Sequence, residues 1–291
     1  MEIRPEESMA GHVTWRAGGR VAKACFPRDI DDLATFMAGM RHDEPLLMVG
    51  LGSNLLIRDG GFDGTAIFTH GALDTLRLEA DGTIYAAAGV ASPKVARFAA
   101  NHNFAAAEFL AGIPGTLGGA LAINAGCHGG EIWSYVVRVR MLNRRGELID
   151  RTPADFAIAY RRCGLKAATD EIFVAAWLRF PAGDAATARA TIKTLLEKRI
   201  ATQPLQLPNA GSVFRNPPGD YAARLIETAG LKGVEEGGAR VSEKHANFIV
   251  NPGGKANAAA IESLIGRIQA EIQDRFGVEL VREVRILGAR S

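Results

Sequence analysis

Two glycine-rich loops about sixty residues apart constrain this chain more than any other feature. The first is Val49-Gly-Leu-Gly-Ser-Asn-Leu-Leu-Ile57, followed closely by Arg58-Asp-Gly-Gly-Phe-Asp-Gly64. The second is Ala111-Gly-Ile-Pro-Gly-Thr-Leu-Gly-Gly-Ala120, running on to Asn124-Ala-Gly-Cys-His-Gly-Gly130. Glycine has no Cβ and tolerates positive φ, so such loops bring backbone N–H groups close to an anionic ligand. A phosphate-bearing cofactor is the first expectation.

The two commonest phosphate loops are excluded. A Walker loop needs Gly-x-x-x-x-Gly-Lys-Ser/Thr, and neither loop has Lys-Ser or Lys-Thr at that spacing. A dinucleotide fingerprint needs Gly-x-Gly-x-x-Gly between strand and helix. Gly50-Leu-Gly52 begins it, but position 55 is leucine, and Leu55-Leu-Ile57 reads as strand.

The chain has 291 residues, enough for one large domain or two modest ones. Its 34 basic and 32 acidic side chains leave a net charge of +2, so bulk charge points to neither nucleic acid nor a membrane surface. Cys25, Cys127 and Cys163 are far apart and form no Cys-x-x-Cys pair. No metal site or disulfide framework is therefore expected, and a cytoplasmic setting fits. Met1–Glu7 is charged and lacks the apolar core of a signal peptide. Glu108, Pro114 and several glycines make the apolar stretch 104–126 a poor membrane helix.

Helical spacing predicts helices over 29–41, 92–101, 184–200, 221–229 and 257–276. Asp29 is expected to cap the first. Ser92 should cap the second with Pro93 at its first position, and Gly230 and Gly277 should close the last two. Strands are expected over 46–49, 65–68, 83–88, 172–180 and 278–287, with a hairpin turning at Asn143-Arg-Arg-Gly146. The mixture lacks strict βαβ alternation, which favours α+β. The proline pair in Gln203-Pro-Leu-Gln-Leu-Pro208 marks a domain boundary, giving 1–203 and 204–291.

Three further residues stand in chemistry-bearing segments. Ser212 lies in Gly211-Ser-Val-Phe-Arg-Asn-Pro217, which is no Gly-x-Ser-x-Gly elbow because position 214 is phenylalanine. Glu283 lies in Leu280-Val-Arg-Glu-Val-Arg-Ile286, on the strand face opposite Val284 and Ile286. Arg161 follows Tyr160 in Ala159-Tyr-Arg-Arg-Cys163. By themselves, these read more readily as ordinary polar surface than as a site.

Together the segments resemble the UDP-N-acetylenolpyruvoylglucosamine reductase family. The resemblance runs from Thr14-Trp-Arg-Ala-Gly-Gly19 through both glycine loops, Tyr160-Arg161 and Gly211–Pro217. It continues through Leu225–Gly233, Ser242-Glu-Lys-His-Ala-Asn-Phe-Ile249 and Glu283-Val-Arg-Ile-Leu-Gly288. It implies an FAD-binding fold of the vanillyl-alcohol-oxidase (PCMH) type in two subdomains, about 1–70 and 71–203, plus a smaller α+β substrate domain at 204–291. It also implies that Gly50, Gly52, Ser53, Asn54 and Leu55, with Gly112, Ile113, Pro114, Gly115, Thr116, Gly118 and Gly119, hold FAD.

The short interval between Arg161 and Ser212 leaves little room for the family's tyrosine-bearing insertion, so the short form is assigned. The chain departs from the family pattern around Cys127 and His128, which more often carries an aromatic residue. It departs again at Cys163, where the pattern has serine; Cys163 is read as packing.

The implied reaction passes a hydride from NADPH through FAD to the vinyl carbon of the enolpyruvyl ether of UDP-N-acetylglucosamine, in peptidoglycan precursor synthesis. Negative charge then develops on the neighbouring carbon and its carboxylate. Arg161 suits that carboxylate, Ser212 would donate a proton to the enolate carbon, and a protonated Glu283 would donate a hydrogen bond on the carboxylate side. Tyr160, Asn216, Lys244 and His245 are candidate substrate contacts, with a structural role open for His245. The partners implied are the UDP-sugar and NADPH, with a monomer or weak oligomer expected.

Two other readings remain. One is an FAD oxidase or dehydrogenase of the same fold acting on another alcohol or sugar, with His128 or Cys127 as a flavin tether. The other is a non-catalytic nucleotide-binding protein.

Overall fold

The computed structural model describes residues 1–167 and 170–291. The chain begins with β1 (Glu2–Ser8), β2 (Arg20–Phe26), α1 (Ile30–Ala38), β3 (Leu46–Val49), β4 (Leu55–Ile57), β5 (Phe62–Phe68), β6 (Leu76–Leu78) and β7 (Ile84–Ala87). Next come α2 (Ser92–Asn101), α3 (Leu117–Ala122), β8 (Gly126–Cys127) and β9 (Gly130–Glu131). Then follow β10 (Val136–Asn143), β11 (Leu148–Arg151), β12 (Phe156–Ala159), β13 (Arg162–Leu165) and β14 (Glu171–Leu178). The last third carries α4 (Ala185–Thr202), α5 (Ala222–Thr228), β15 (Glu235–Glu236), β16 (Ala239–Val241), β17 (Ile249–Val250), α6 (Ala258–Phe276) and β18 (Arg285–Leu287). This is an α+β protein, as expected.

Local chemistry explains most boundaries. The Asp29 carboxylate accepts from the Asp32 amide at 2.7 Å to start α1, whose Leu33 and Met37 are buried one turn apart. Asn257 caps α6 the same way through the Ala260 amide, at 2.9 Å. Ile261, Leu264, Ile265, Ile268 and Ile272 of α6 are buried on one face, and Gly277 ends the helix at φ +66°. Gly146, at φ +77°, turns the β10–β11 hairpin, which pairs Leu142 with Leu148.

Strand order in the first sheet is β1-β2-β5-β3, with β3 and β5 parallel. The second sheet runs β11-β10-β14-β7-β6 and is antiparallel throughout. β12 and β13 form a separate hairpin, and β18 lies parallel to β4.

The chain forms two compact units. One is built from Met1–Arg4, Ala24–Gly50 and Gly64–Arg199, the other from Pro5–Lys23, Leu51–Asp63 and Ile200–Ser291. The first has a core that includes Leu33, Ile67, Ile84, Leu110, Leu117 and Leu142. The second unit's core joins Trp15 and Leu56 to Phe214, Ile226, Ile261 and Leu264. A single cut at 203/204 differs from this division because Trp15 and Leu56 bury their side chains with the C-terminal elements.

Three local expectations are corrected. The last strand covers only Arg285–Leu287, since its one strand partner, β4, is three residues long. Ser92 is the first residue of α2 rather than its cap: Ala91 takes the cap position, and the Ser92 hydroxyl caps no amide. The end of the second glycine loop is helical: Leu117–Ala122 forms α3. There Gly118 serves packing, since a Cβ would lie 2.9 Å from that of Ala88. Between Arg161 and Ser212 the described residues form β13, β14 and α4 with no further helix, which leaves no room for an inserted loop domain.

Candidate active site

Both glycine loops present unmet backbone donors. β3 leads into the first loop and β4 leaves it. Among the described residues, no acceptor lies in reach of the amides of Gly50, Leu51, Gly52, Ser53 or Asn54. Gly52 holds φ +61°, and a Cβ there would run into the His12 carbonyl; one at Gly50 would run into the Thr116 hydroxyl. Gly52→Ala is therefore expected to lower unfolding stability by at least about 1–2 kcal/mol from the left-handed backbone alone. A urea midpoint unchanged by the substitution would show that the loop accommodates a side chain.

In the second loop, Gly115 accepts from Ser92 at 2.9 Å, and Leu117 and Gly118 donate to Val90 and Ala88 at 2.8 and 2.9 Å. These bonds fasten the loop to the segment between β7 and α2. They leave the Gly115 and Thr116 amides without an acceptor among the described residues. A Cβ at Gly112 would lie 2.7 Å from the Cys127 sulfur. Ile113 is buried and leads into Pro114, and Gly119 sits in the first turn of α3. Backbone donors without a protein acceptor among the described residues, interspersed with glycines that carry no Cβ, suit a dinucleotide diphosphate. The residues present fit FAD.

Ser212 and Glu283 are brought together inside the second unit. The amides of Glu283 and Val284 both donate to the Val213 carbonyl, at 2.8 and 3.4 Å, and Arg215 donates to Val281 at 2.9 Å. The Ser212 and Glu283 segments thus run antiparallel, one residue out of step. Asn54 of the first loop joins them: its side-chain amide donates to the Glu283 carbonyl at 3.2 Å, and its own carbonyl accepts from Arg285 at 3.1 Å. Both Ser212 and Glu283 are half-buried.

Asn247, which sequence reasoning passed over, holds this strand. Its side chain accepts from the Phe214 amide at 3.0 Å and donates to the Phe214 carbonyl at 2.8 Å, in the manner of a neighbouring strand. The signal was its place in the Ser242–Ile249 motif, but an asparagine there reads as a turn residue.

Arg161 belongs to the first unit. Tyr160 and Arg161 form the two-residue turn between β12 and β13, where Ala159 pairs with Arg162. Arg161 holds φ +52° and donates from Nη2 to the Gly126 carbonyl at 2.6 Å, while the exposed Tyr160 ring lies 5.1 Å from its guanidinium carbon.

The remaining candidates differ in how far they are already engaged. The Asn216 side-chain oxygen accepts from the amide of Ala222, the first residue of α5, at 3.2 Å. Lys244 is exposed and donates to the Ile200 carbonyl at 2.5 Å. His245 accepts from the Asn247 amide at 3.2 Å and lies 4.7 Å from the Phe248 ring. Burial pushes the His245 pKa down. Burial raises the Cys127 and Cys163 thiols to about 11, and Cys127 donates to the Phe109 carbonyl at 2.9 Å. A protonated thiol is a poor nucleophile, which argues against a flavin tether at Cys127. His128 is pushed down by burial and then by Lys198 and Arg199.

Among the described residues, no helix is long and apolar enough to cross a membrane. A family model described as an FAD binding domain matches residues 21–152, and one described as the C-terminal domain of UDP-N-acetylenolpyruvoylglucosamine reductase matches 203–287. The UDP-N-acetylenolpyruvoylglucosamine reductase of Thiobacillus denitrificans is 52% identical over 298 residues, covering 98% of this chain and 92% of that protein. Its counterpart in Legionella pneumophila strain Corby is 53% identical over 283 residues, covering 97% and 91%. The crystal structure of the Thermus caldophilus enzyme superimposes with a TM-score of 0.82 at 28% identity over 98% of each chain. The chain, with its FAD-binding domain, belongs to the UDP-N-acetylenolpyruvoylglucosamine reductase family.

Proposed function

We propose that this chain reduces the enolpyruvyl ether of UDP-N-acetylglucosamine to UDP-N-acetylmuramate, with NADPH as hydride donor and FAD as carrier, in cytoplasmic peptidoglycan precursor synthesis. The observation that supports this most is the pairing of the Ser212 and Glu283 segments through Val213, with Asn54 of the first glycine loop bonded to Glu283. A proton donor and a carboxyl group are thereby tied to a loop suited to a flavin diphosphate.

Bound FAD supplies the hydride transfer, which no amino-acid side chain can perform. The side chains handle charge and the proton. The planar Arg161 guanidinium takes the substrate carboxylate, over which the developing negative charge spreads. The Ser212 hydroxyl donates to the enolate carbon. Glu283 in its protonated form donates a hydrogen bond on the carboxylate side; ionised, it would oppose the developing charge. Residues 1–203 hold the flavin and 204–291 the UDP-sugar in this reading. Tyr160 and Lys244, both exposed, are the side chains most open to the substrate, while Asn216 and His245 act from positions already bonded to backbone. The working unit is a monomer or weak oligomer, with no nucleic-acid or membrane partner.

A visible spectrum tests this directly. The purified protein is expected to be yellow, to bleach under nitrogen on addition of NADPH, and to regain its colour when the enolpyruvyl UDP-sugar is added. Denaturation is expected to release the flavin. Colour that stays with the denatured chain, or that the UDP-sugar does not restore, would favour the oxidase reading.

A further inference from the structure

The structure assigns a positioning role to Asn124: it holds the Arg161 turn against the end of the second glycine loop. Asn124 is almost wholly buried and sits at φ +47°, between α3 and β8. Its side-chain amide donates to the Glu131 carboxylate at 2.8 Å and to the Ala159 carbonyl at 3.2 Å. Its side-chain oxygen accepts from the Trp133 amide at 3.4 Å. Ala159 is the last residue of β12, immediately before the Tyr160–Arg161 turn. From the other side, Arg161 donates to the carbonyl of Gly126, two residues beyond Asn124.

The turn and the loop are thus bonded twice, in opposite senses. One bond runs from a loop side chain to the turn backbone, the other from a turn side chain to the loop backbone. Both residues hold left-handed φ, which a non-glycine residue keeps only where its surroundings enforce it. A buried amide is costly unless its hydrogen bonds are made. An apolar residue at this position would fill the space without reaching Ala159. The bond to Glu131 orients the amide so that its second N–H points at Ala159. Asn124 therefore acts on the chemistry through Arg161 and touches neither substrate nor flavin in this account.

The inference rests on the proposed role of Arg161, so the test measures the two half-reactions of the flavin-loaded protein separately, with Arg161→Ala as reference. Asn124→Gly keeps the left-handed backbone and removes all three side-chain bonds. Asn124→Asp keeps the shape but loses the donor, and it places a second carboxylate beside Glu131. Both variants are expected to retain flavin and to bleach with NADPH within about threefold of the parent, while recovery of colour with the UDP-sugar slows about 10²-fold. Adding Glu131→Gln to Asn124→Asp relieves the carboxylate pair but still leaves no donor for the Ala159 carbonyl, so recovery of colour is expected to stay slow.

Slowing of both half-reactions together would mean a merely structural role and would overturn the inference. So would recovery of colour within threefold of the parent in Asn124→Gly. If Arg161→Ala itself leaves the substrate half-reaction untouched, the reading of Arg161 fails, and the role of Asn124 falls with it.

Discussion

Ser212→Ala is expected to leave bleaching by NADPH within about threefold of the parent while slowing recovery by the enolpyruvyl UDP-sugar about 10²–10⁴-fold, the scale for losing a general acid. The structure makes this variant a clean one. Ser212 is only half-buried, so removing its hydroxyl opens no sealed polar site. The backbone around it is held independently, by Asn247 on Phe214 and by the Glu283 amide on Val213. A rapid-mixing measurement of each half-reaction decides the matter. Equal slowing of both would sink the assignment of Ser212 as proton donor, because a proton donor to the substrate has no part in hydride transfer from NADPH.

Trp15→Ala is expected to lower the stability of the second unit by about 3–5 kcal/mol, the usual cost of emptying a buried aromatic site. Trp15 is fully buried in the core that holds Phe214, Ile226 and Ile261. Its indole N–H donates to the Ile249 carbonyl at 2.8 Å, and its own carbonyl accepts from Asn251 at 2.9 Å. The variant therefore opens a cavity and also strands the Ile249 carbonyl. Urea unfolding followed by hydrogen exchange at α6 reads this out. A loss below about 1 kcal/mol, small against ordinary core truncations, would show that Trp15 is not part of this core.

Elements with strong local signals were legible in the sequence. The α1 and α6 helices follow from spacing and from Asp29 and Asn257 as caps, and the β10–β11 hairpin from its Asn143–Gly146 turn. Elements that depend on distant partners were not. Ser92 has the chemistry of a cap, but Ala91, bridged to Thr116 of the second glycine loop, takes the cap position and leaves Ser92 inside the helix. Leu280–Val284 has the alternation of a strand, but among the described residues its segment makes only an isolated bridge, Phe214 to Arg282. The short strands β15–β17 and the β12–β13 hairpin carry too few residues for periodicity to speak.

The sequence by itself determined the class of cofactor loop, the exclusion of the Walker and Rossmann patterns, and the family to which the motifs point. These are written in glycine placement and motif order, which are local. Only the tertiary structure decided that Trp15 and Leu56 belong with the C-terminal core, that Asn54 bonds to Glu283, and that Asn124 clamps the Arg161 turn. Each joins residues 35 to 236 positions apart or places them in one core, and such pairings carry no sequence period. A buried amide shows its purpose only once its partners stand around it.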